Sequence, residues 1–320
     1  MRTKTLSFDD FAEISRREVE KQIIAMINDK QIVSILEGGK RLRPILAHLA
    51  FKACTQGNET FDQYQKALEG RVVIELAHAA SLVHDDIIDE DIIRRGKPSY
   101  HVKEGVASAL LTGHKMLVSG FNIALKHGEQ VAKLYIDSWE DLVSGEIDEV
   151  NFNKKSMNFK KMSTKEQIFE AYNKIIDLKT AALFSSACKV GALGADASKD
   201  IVKVFSDYGR EIGLAYQLAD DLVDLVNGER IDSVVIPLLN RLENKIFKIR
   251  FLQKRAVKRK FAKYKDKIQN FYIEEINKHV RKAEELSKSG LIPQSNYKDL
   301  LGIAPAYIIN KMLKEIKVTV

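Results

Sequence analysis

The residues best suited to chemistry are aspartates, which occur twice in one pattern: two adjacent aspartates, two intervening residues and a third aspartate. The two copies are Asp85, Asp86 and Asp89, and Asp220, Asp221 and Asp224. On a helix the first and last aspartates of a copy share one face, where like charges repel by roughly 0.2–0.5 kcal/mol. Both copies stand among apolar residues, and buried charges without partners are rare. The pattern therefore predicts a bound counter-charge at each copy.

Mg²⁺ is the counter-charge that suits these side chains. It is a hard cation that binds through one or two carboxylates together with substrate phosphates. A single acidic run is a solvated helix face about as often as it is a metal site, but the repetition in apolar surroundings favours metal binding. Two such clusters predict several Mg²⁺ ions clamped around one diphosphate.

Basic residues near these motifs supply contacts for an anion. Lys40, Arg41 and Arg43 form a compact patch, and Arg94 and Arg95 follow the first acidic motif by about one helical turn. Arginine forms bidentate contacts with phosphate. A basic run alone is usually a solvated surface, so its meaning here comes from the combination with the aspartates.

Two further positions strengthen the combination. His78 lies seven residues before Asp85, about two turns away on a similar side of the predicted helix. Lys179 and Thr180 occur in an otherwise apolar helical pattern, where a lysine without a function is unusual. A lone helical histidine is more often a satisfied core residue.

Helices must position these side chains, because the chain has only 5 prolines and 17 glycines and shows little strand pattern. Apolar residues at three- and four-residue intervals predict helices, and Gly96 and Pro98 end the third. The predicted helices cover 8–35, about 42–54, 61–93, 105–126, 128–151, 164–193, 198–228 and 232–252, followed by a more charged helical region over 253–320. With no repeat or linker, one all-α domain over 1–320 is predicted.

Composition narrows the class of protein. The net charge of +7 suits an anionic partner such as a phosphorylated metabolite, a nucleic acid or a membrane surface. The chain has no run of about 18 apolar residues, and its first 20 residues lack the apolar core of a secretory signal. Cys54 and Cys188 make no disulfide framework. A cytoplasmic protein without stable membrane insertion is predicted.

Taken together, these motifs resemble the trans-prenyltransferase (polyprenyl synthetase, or isoprenyl diphosphate synthase) family, and in type geranylgeranyl diphosphate synthases. The resemblance runs over about 35–230. It rests on Gly-Gly-Lys-Arg-x-Arg-Pro at 38–44, the aspartate-rich regions 81–101 and 213–224, and the Lys-Thr pair at 179–180.

The resemblance implies an all-helical bundle around a deep central cavity, a homodimer, and Mg²⁺-dependent ionisation, condensation and elimination. The partners would be isopentenyl diphosphate and allylic diphosphates, with no nucleic acid. Asp85, Asp89 and Asp220 would be the principal metal ligands, supported by Asp86, Asp221 and Asp224. Arg94, Lys179 and Gln217 would contact the allylic diphosphate, and together with Thr180 they would be the catalytic residues. Isopentenyl diphosphate would be bound by Lys40, Arg43, His78 and Arg95. The substrate-binding set would also include Arg41.

The sequence departs from the family pattern at three places. His114 follows Gly113 where the family commonly has aspartate, and Glu146 stands where glutamine is usual. Residues 227–232 replace a lysine-bearing loop, with Arg230 as a weak substitute.

In the family that the chain resembles, the product tail runs along the helix before the first acidic motif, so product length is predicted from that helix. Small residues there, Ser81, Ala80 and Ala77, would leave room for a growing tail, with Ile74 as a partial floor. We expect a product of at least twenty carbons. The alternative is that the alanines only permit close helix packing.

Three other functions fit parts of the sequence. A terpene cyclase would also ionise a prenyl diphosphate, but it would not need the basic patch at 40–43. A non-catalytic regulatory subunit of a prenyl synthase would fit His114 and the altered loop. The basic run at 254–260 fits a nucleic-acid or membrane-surface binder, although such runs are usually solvated.

Overall fold

A computed structural model of the chain describes residues 6–154, 164–227 and 254–320. These residues are almost entirely helical, which confirms the predicted all-α class. The helices up to residue 154 are α1 Phe8–Met26, α2 Lys30–Leu36, α3 Leu42–Thr55, α4 Phe61–Ile88, α5 Tyr100–Glu104, α6 Val106–Lys126 and α7 Glu129–Lys154. Those after it are α8 Lys165–Ile176, α9 Ala182–Gly194, α10 Lys199–Asn227, α11 Lys254–Ser287 and α12 Asn296–Leu313, with a π-helical turn at Asp177–Ala181 and a 3₁₀ turn at Lys314–Ile316.

Contacts divide the described residues into two compact units. Unit 1 takes its residues from 1–140, 183–209 and 286–303, and unit 2 takes its residues from 141–182, 210–285 and 304–320. One domain over 1–320 stays a prediction. No helix in the described ranges has both the length and the hydropathy that crossing a membrane requires.

The single helix predicted over 8–35 is wrong, because α1 and α2 are separate helices. The carboxylate of Asp29 accepts hydrogen bonds from the backbone amides of Gln31 and Ile32 at 2.8 and 3.2 Å. This N-cap satisfies amides that would otherwise lack partners and starts a new helix after Met26.

Helix α4 begins with a capping box at Thr60 and ends at Ile88, five residues before the predicted end. Two short antiparallel strands follow, β1 Ile93–Arg94 and β2 Lys97–Pro98. Arg95 and Gly96 have φ values of 53° and 73°, the left-handed conformation that two-residue hairpin turns of type I′ require. Arg94 and Arg95 therefore lie on a hairpin and not on the helix.

The helix predicted over 164–193 is also interrupted, by the π-helical turn between α8 and α9. The charged region after 253 contains α11 and α12, as its helical pattern predicts. The helix predicted over 232–252 and the loop residue Arg230 lie outside the described residues.

Each unit has its own apolar core. In unit 1 the buried faces of α3 and α4 meet through residues such as Leu46, Leu49 and Leu76, none of which is exposed. In unit 2 a cluster joins α8, α10, α11 and α12, with Leu222 and Ile276 fully buried. These cores hold the helices that carry both acidic motifs.

Candidate active site

The first acidic motif lies at the C-terminal end of α4 in unit 1. The backbone amide of Asp89 donates to the carbonyl of Asp85 at 2.8 Å, so the two residues are one helical turn apart on the same face. Asp85 is half-buried and Asp89 is exposed. Both aspartates therefore belong to one face of α4, as binding of a shared cation requires.

The middle aspartate of this motif has a different role. Asp86 lies about 100° around the helix from Asp85 and is only 3% exposed. Arg94 Nε donates to Asp86 Oδ1 at 2.7 Å, and Arg94 also lies 3.4 Å from Asp91 Oδ2. The hairpin thus folds back so that Arg94 neutralises the buried carboxylate of Asp86.

A cavity of about 500 Å³ lies beside this ion pair within unit 1. It is bordered by α2, α4 and the hairpin, and Asp86, Arg94 and Arg95 all contribute to its wall. Arg95 donates from Nη1 to the Glu37 carbonyl at 3.0 Å. Among the described residues, no carboxylate lies within ion-pair distance of Arg95. Its guanidinium therefore retains donors for an anion.

Arg43 and His78 form a second polar pair in unit 1. Arg43 Nη1 lies 3.0 Å from His78 Nε2, and the guanidinium carbon lies 4.3 Å from the centre of the Phe184 ring. Burial lowers the pKa of His78 well below its usual value, and the nearby Arg43 cation lowers it further. Because arginine only donates, a neutral His78 accepts at Nε2 and carries its proton on Nδ1.

The remaining two basic residues of the 40–43 patch differ sharply. The Lys40 side chain is exposed, whereas Arg41 is 4% exposed. Arg41 Nη1 lies 2.5 Å from Glu75 Oε1, and its Nη2 donates to the Leu36 carbonyl. The structure thus places Arg41 in a buried ion pair that links the start of α3 to α4.

The four residues predicted to set product length are all buried in α4. Ser81, Ala77 and Ile74 lie within about 80° of Asp85 around the helix, whereas Ala80 lies about 140° away. The Ser81 hydroxyl donates to the His78 carbonyl at 2.8 Å. Three of the four therefore share the face of α4 that carries Asp85, and Ala80 packs on another.

Lys179 lies in the π-helical turn of unit 2, between two carboxylates. Its Nζ lies 2.6 Å from Glu146 Oε2 and 2.5 Å from Glu149 Oε2. A Cβ added to Gly145 would come within 2.5 Å of the Lys179 amide, so α7 can approach the turn this closely only with glycine there. Glu149 did not emerge from the sequence, although its spacing of three residues from Glu146 puts both on one helix face.

The second acidic motif, on α10, is linked to the same turn. Thr180 Oγ1 donates to Gln217 Oε1 at 2.8 Å, and Gln217 Nε2 donates to Asp221 Oδ1 at 2.9 Å. This chain orients the amide of Gln217 and ties down the middle aspartate. Asp220 and Asp224 remain one turn apart, as Asp85 and Asp89 do in unit 1.

His114 is an exposed residue of α6 that contacts His84. Its ring centre lies 5.2 Å from that of His84, the residue before Asp85. A Cβ on Gly113 would lie 2.3 Å from His84 Nε2, so glycine is required for the His84 ring to fit. Gly113 and His114 therefore both lie against His84, the residue before the first acidic motif.

Comparisons with known proteins agree with this geometry. The model of the polyprenyl synthetase family matches residues 26–232. A geranylfarnesyl diphosphate synthase of Methanosarcina mazei is 29% identical over 211 residues, which cover 64% of this chain and 66% of that protein. A geranylgeranyl diphosphate synthase of the same organism is 35% identical over 196 residues, covering 61% of this chain and 57% of that protein. The matched region thus spans less than two thirds of either relative.

The fold is similar to that of a solved geranylgeranyl pyrophosphate synthetase from the archaeon Geoglobus acetivorans. The TM-score is 0.78 at 21% identity, over 93% of this chain and 99% of that one. At this identity the likeness concerns the fold alone. Because the family model matches well over half of the sequence, the chain belongs to the polyprenyl synthetase family.

Proposed function

We propose that this chain is a chain-elongating prenyltransferase that condenses isopentenyl diphosphate with allylic diphosphates. The observation that carries the proposal is the shared design of the two acidic motifs. In each, the middle aspartate is held by a protein partner, and the outer aspartates stack one turn apart. Such duplication is expected where a polyanionic substrate is bound through metal ions.

Mg²⁺ is the proposed metal, with Asp85 and Asp89 as ligands in unit 1 and Asp220, supported by Asp224, in unit 2. All four donors are carboxylate oxygens, which suit a hard cation. Among the described residues, no three potential ligands already converge on one point. That fits an ion held jointly by carboxylates and substrate phosphates. When bound, the metal would neutralise the charge that develops on the departing diphosphate.

The cationic side chains are proposed to bind the two substrates. Arg94 and Lys179, with the Gln217 amide, would contact the allylic diphosphate. Lys40, Arg43, His78 and Arg95 would bind isopentenyl diphosphate. The half-buried Arg43, held over Phe184 and against His78, supports this because its guanidinium is preorganised. Arg41 is assigned instead to holding α3 against α4.

The reaction proposed is ionisation of the allylic diphosphate, attack by the isopentenyl double bond and loss of a proton. Fixed cations stabilise the diphosphate that departs in the first step. The Thr180 and Gln217 dipoles, ordered by their mutual hydrogen bond, would lie near the developing carbocation. The released diphosphate would take the proton lost in the last step.

Chain length is proposed to be at least twenty carbons, because Ser81 and Ala77, on the face of α4 that carries Asp85, have small side chains and Ile74 lies further from the acidic motif. A Ser81→Phe variant should shorten the products, since an aromatic ring would fill this face. Product chain length after incubation checks this, with Ala80→Ser as a control on the other face. Unchanged long products from Ser81→Phe would contradict the proposal that this face of α4 sets product length.

A cytoplasmic homodimer is also proposed. Leu111, Val118 and Leu125 recur every seven residues on α6 and are 70%, 59% and 49% exposed. An apolar stripe of this kind favours a helix of a second copy as its cover. Cys54 and Cys188 are both free thiols, which suits a reducing compartment.

Incubation with Mg²⁺, labelled isopentenyl diphosphate and a series of allylic primers tests the function. We expect a product ladder that ends at twenty carbons or beyond and that EDTA abolishes. No incorporation with any primer would contradict the proposal. It would point to a terpene cyclase or to a regulatory subunit, which cyclic products or stimulation of an active synthase would distinguish.

A further inference from the structure

The ammonium group of Lys179 is paired with two carboxylates of α7. Glu146 and Glu149 lie three residues apart on α7, and each places an Oε2 atom within 2.6 Å of Nζ. The three side chains are between 12% and 26% exposed. These three groups by themselves sum to a charge of −1, and each is mostly buried.

The backbone around Lys179 is held in place, so the side chain must do any moving. Asp177, at the start of the π-helical turn, is paired with Arg210, whose Nη2 lies 2.5 Å from Asp177 Oδ2. On the other side the turn touches Gly145 closely. π-Helical turns of this kind frequently occur at functional sites.

The two carboxylates hold Lys179 differently. Lys179 donates a hydrogen bond to Glu149 Oε2. Glu146 Oε2 forms an ion pair with the ammonium group, but within the described residues it accepts no hydrogen bond of suitable geometry. Glu146 is also 9% exposed as a residue. If Lys179 turned toward a substrate, Glu146 would remain as a buried charge without its counter-ion, which is strongly unfavourable.

We propose that Glu146 is a positioning residue that competes with the allylic diphosphate for Lys179 and thereby sets the affinity for that substrate. Two carboxylate oxygens already lie within 2.6 Å of the Lys179 nitrogen. A diphosphate that draws Lys179 away from Glu146 leaves that carboxylate without this counter-ion, and the cost weakens diphosphate binding. This inference rests on the proposed function only in naming the ligand as an allylic diphosphate.

The test compares Glu146→Gln with Glu170→Gln, because Glu170 is an exposed glutamate of α8 in the same unit. The amide keeps the shape of Glu146 and removes its charge. We expect Glu146→Gln to lower the Kd for inorganic diphosphate with Mg²⁺ about five- to tenfold. The KM for the allylic diphosphate should fall by a similar factor without a rise in kcat, while Glu170→Gln leaves both constants at their wild-type values.

Glu146→Asp keeps the charge and should keep the Kd closer to the wild-type value than Glu146→Gln does. An unchanged or higher Kd in Glu146→Gln overturns the inference. So does an equal fall in Glu170→Gln, since that would be a general effect of charge. Calorimetric binding needs no turnover, so the inference can hold or fail independently of prenyl transfer, and thermal unfolding of each variant reports whether it is folded.

Discussion

Replacing Glu75 by alanine tests the assignment of Arg41 to structure. Both side chains are 3% exposed, and their charged atoms lie 2.5 Å apart. At an effective dielectric constant of 20, Coulomb's law gives an attraction of about 7 kcal/mol at this separation, most of which offsets desolvation. Removing one partner leaves a buried charge, so we expect the free energy of unfolding to fall by about 3–5 kcal/mol.

The double variant Arg41→Met/Glu75→Leu distinguishes the loss of the ion pair from the cost of leaving one charge buried without its partner. Two apolar side chains of similar size leave no buried charge behind, since Glu20, which lies 3.7 Å from Arg41 Nε, is 41% exposed. The double variant should therefore recover most of the lost stability. Urea unfolding of the wild type, both single variants and the double variant measures this as a cycle. If Arg41→Met kept its stability but raised the KM for isopentenyl diphosphate about tenfold, a loss of about 1.4 kcal/mol, Arg41 would be a substrate ligand and the reasoning would be refuted.

Two further perturbations follow from close packing and from a buried histidine. Gly145→Ala would force the π-helical turn away from α7, so we expect a loss of about 1–3 kcal/mol in urea unfolding and a lower kcat. The His48 ring has a pKa held well below 6.5, mainly by burial and then by the cations Arg71 and Lys52. As the pH falls through about 6.5 the unfolded chain binds a proton there that the folded chain does not, so stability falls. The free energy of unfolding should therefore change with pH less steeply in His48→Phe than in the wild type, by up to about 1.4 kcal/mol per pH unit. Urea unfolding between pH 7 and pH 5 measures this difference.

The matched control for the first of these is Gly290→Ala, where an added Cβ has nothing within 4 Å. Equal effects of the two glycine substitutions would show that close approach is not the cause. His78 and His84 also have lowered pKa values. Because both histidines are present in the wild type and in His48→Phe, their contributions to the pH dependence of stability cancel in the comparison. An identical pH slope in His48→Phe would mean that His48 does not titrate as its burial implies.

Patterns among neighbouring residues were sufficient to predict most of the helices and both acidic motifs. Apolar spacing located most of the helices, and the paired aspartates located both acidic motifs, because helical periodicity is a property of neighbouring residues. The breaks were missed for an equally local reason. A single Asp29 cap splits a continuous apolar pattern, and the π-helical turn at Asp177–Ala181 leaves no distinct periodicity.

The sequence by itself determined the helical class, the family and the side chains that are proposed to bind metal and diphosphate. Tertiary structure alone decided which charges are already paired within the protein. Arg41 and Lys40 are adjacent in the chain, yet one is buried against Glu75 and the other is exposed. Lys179 meets Glu146 and Glu149 only because α7 passes the turn at Gly145. Pairing depends on distances between residues remote in sequence, and those distances arise only when helices pack.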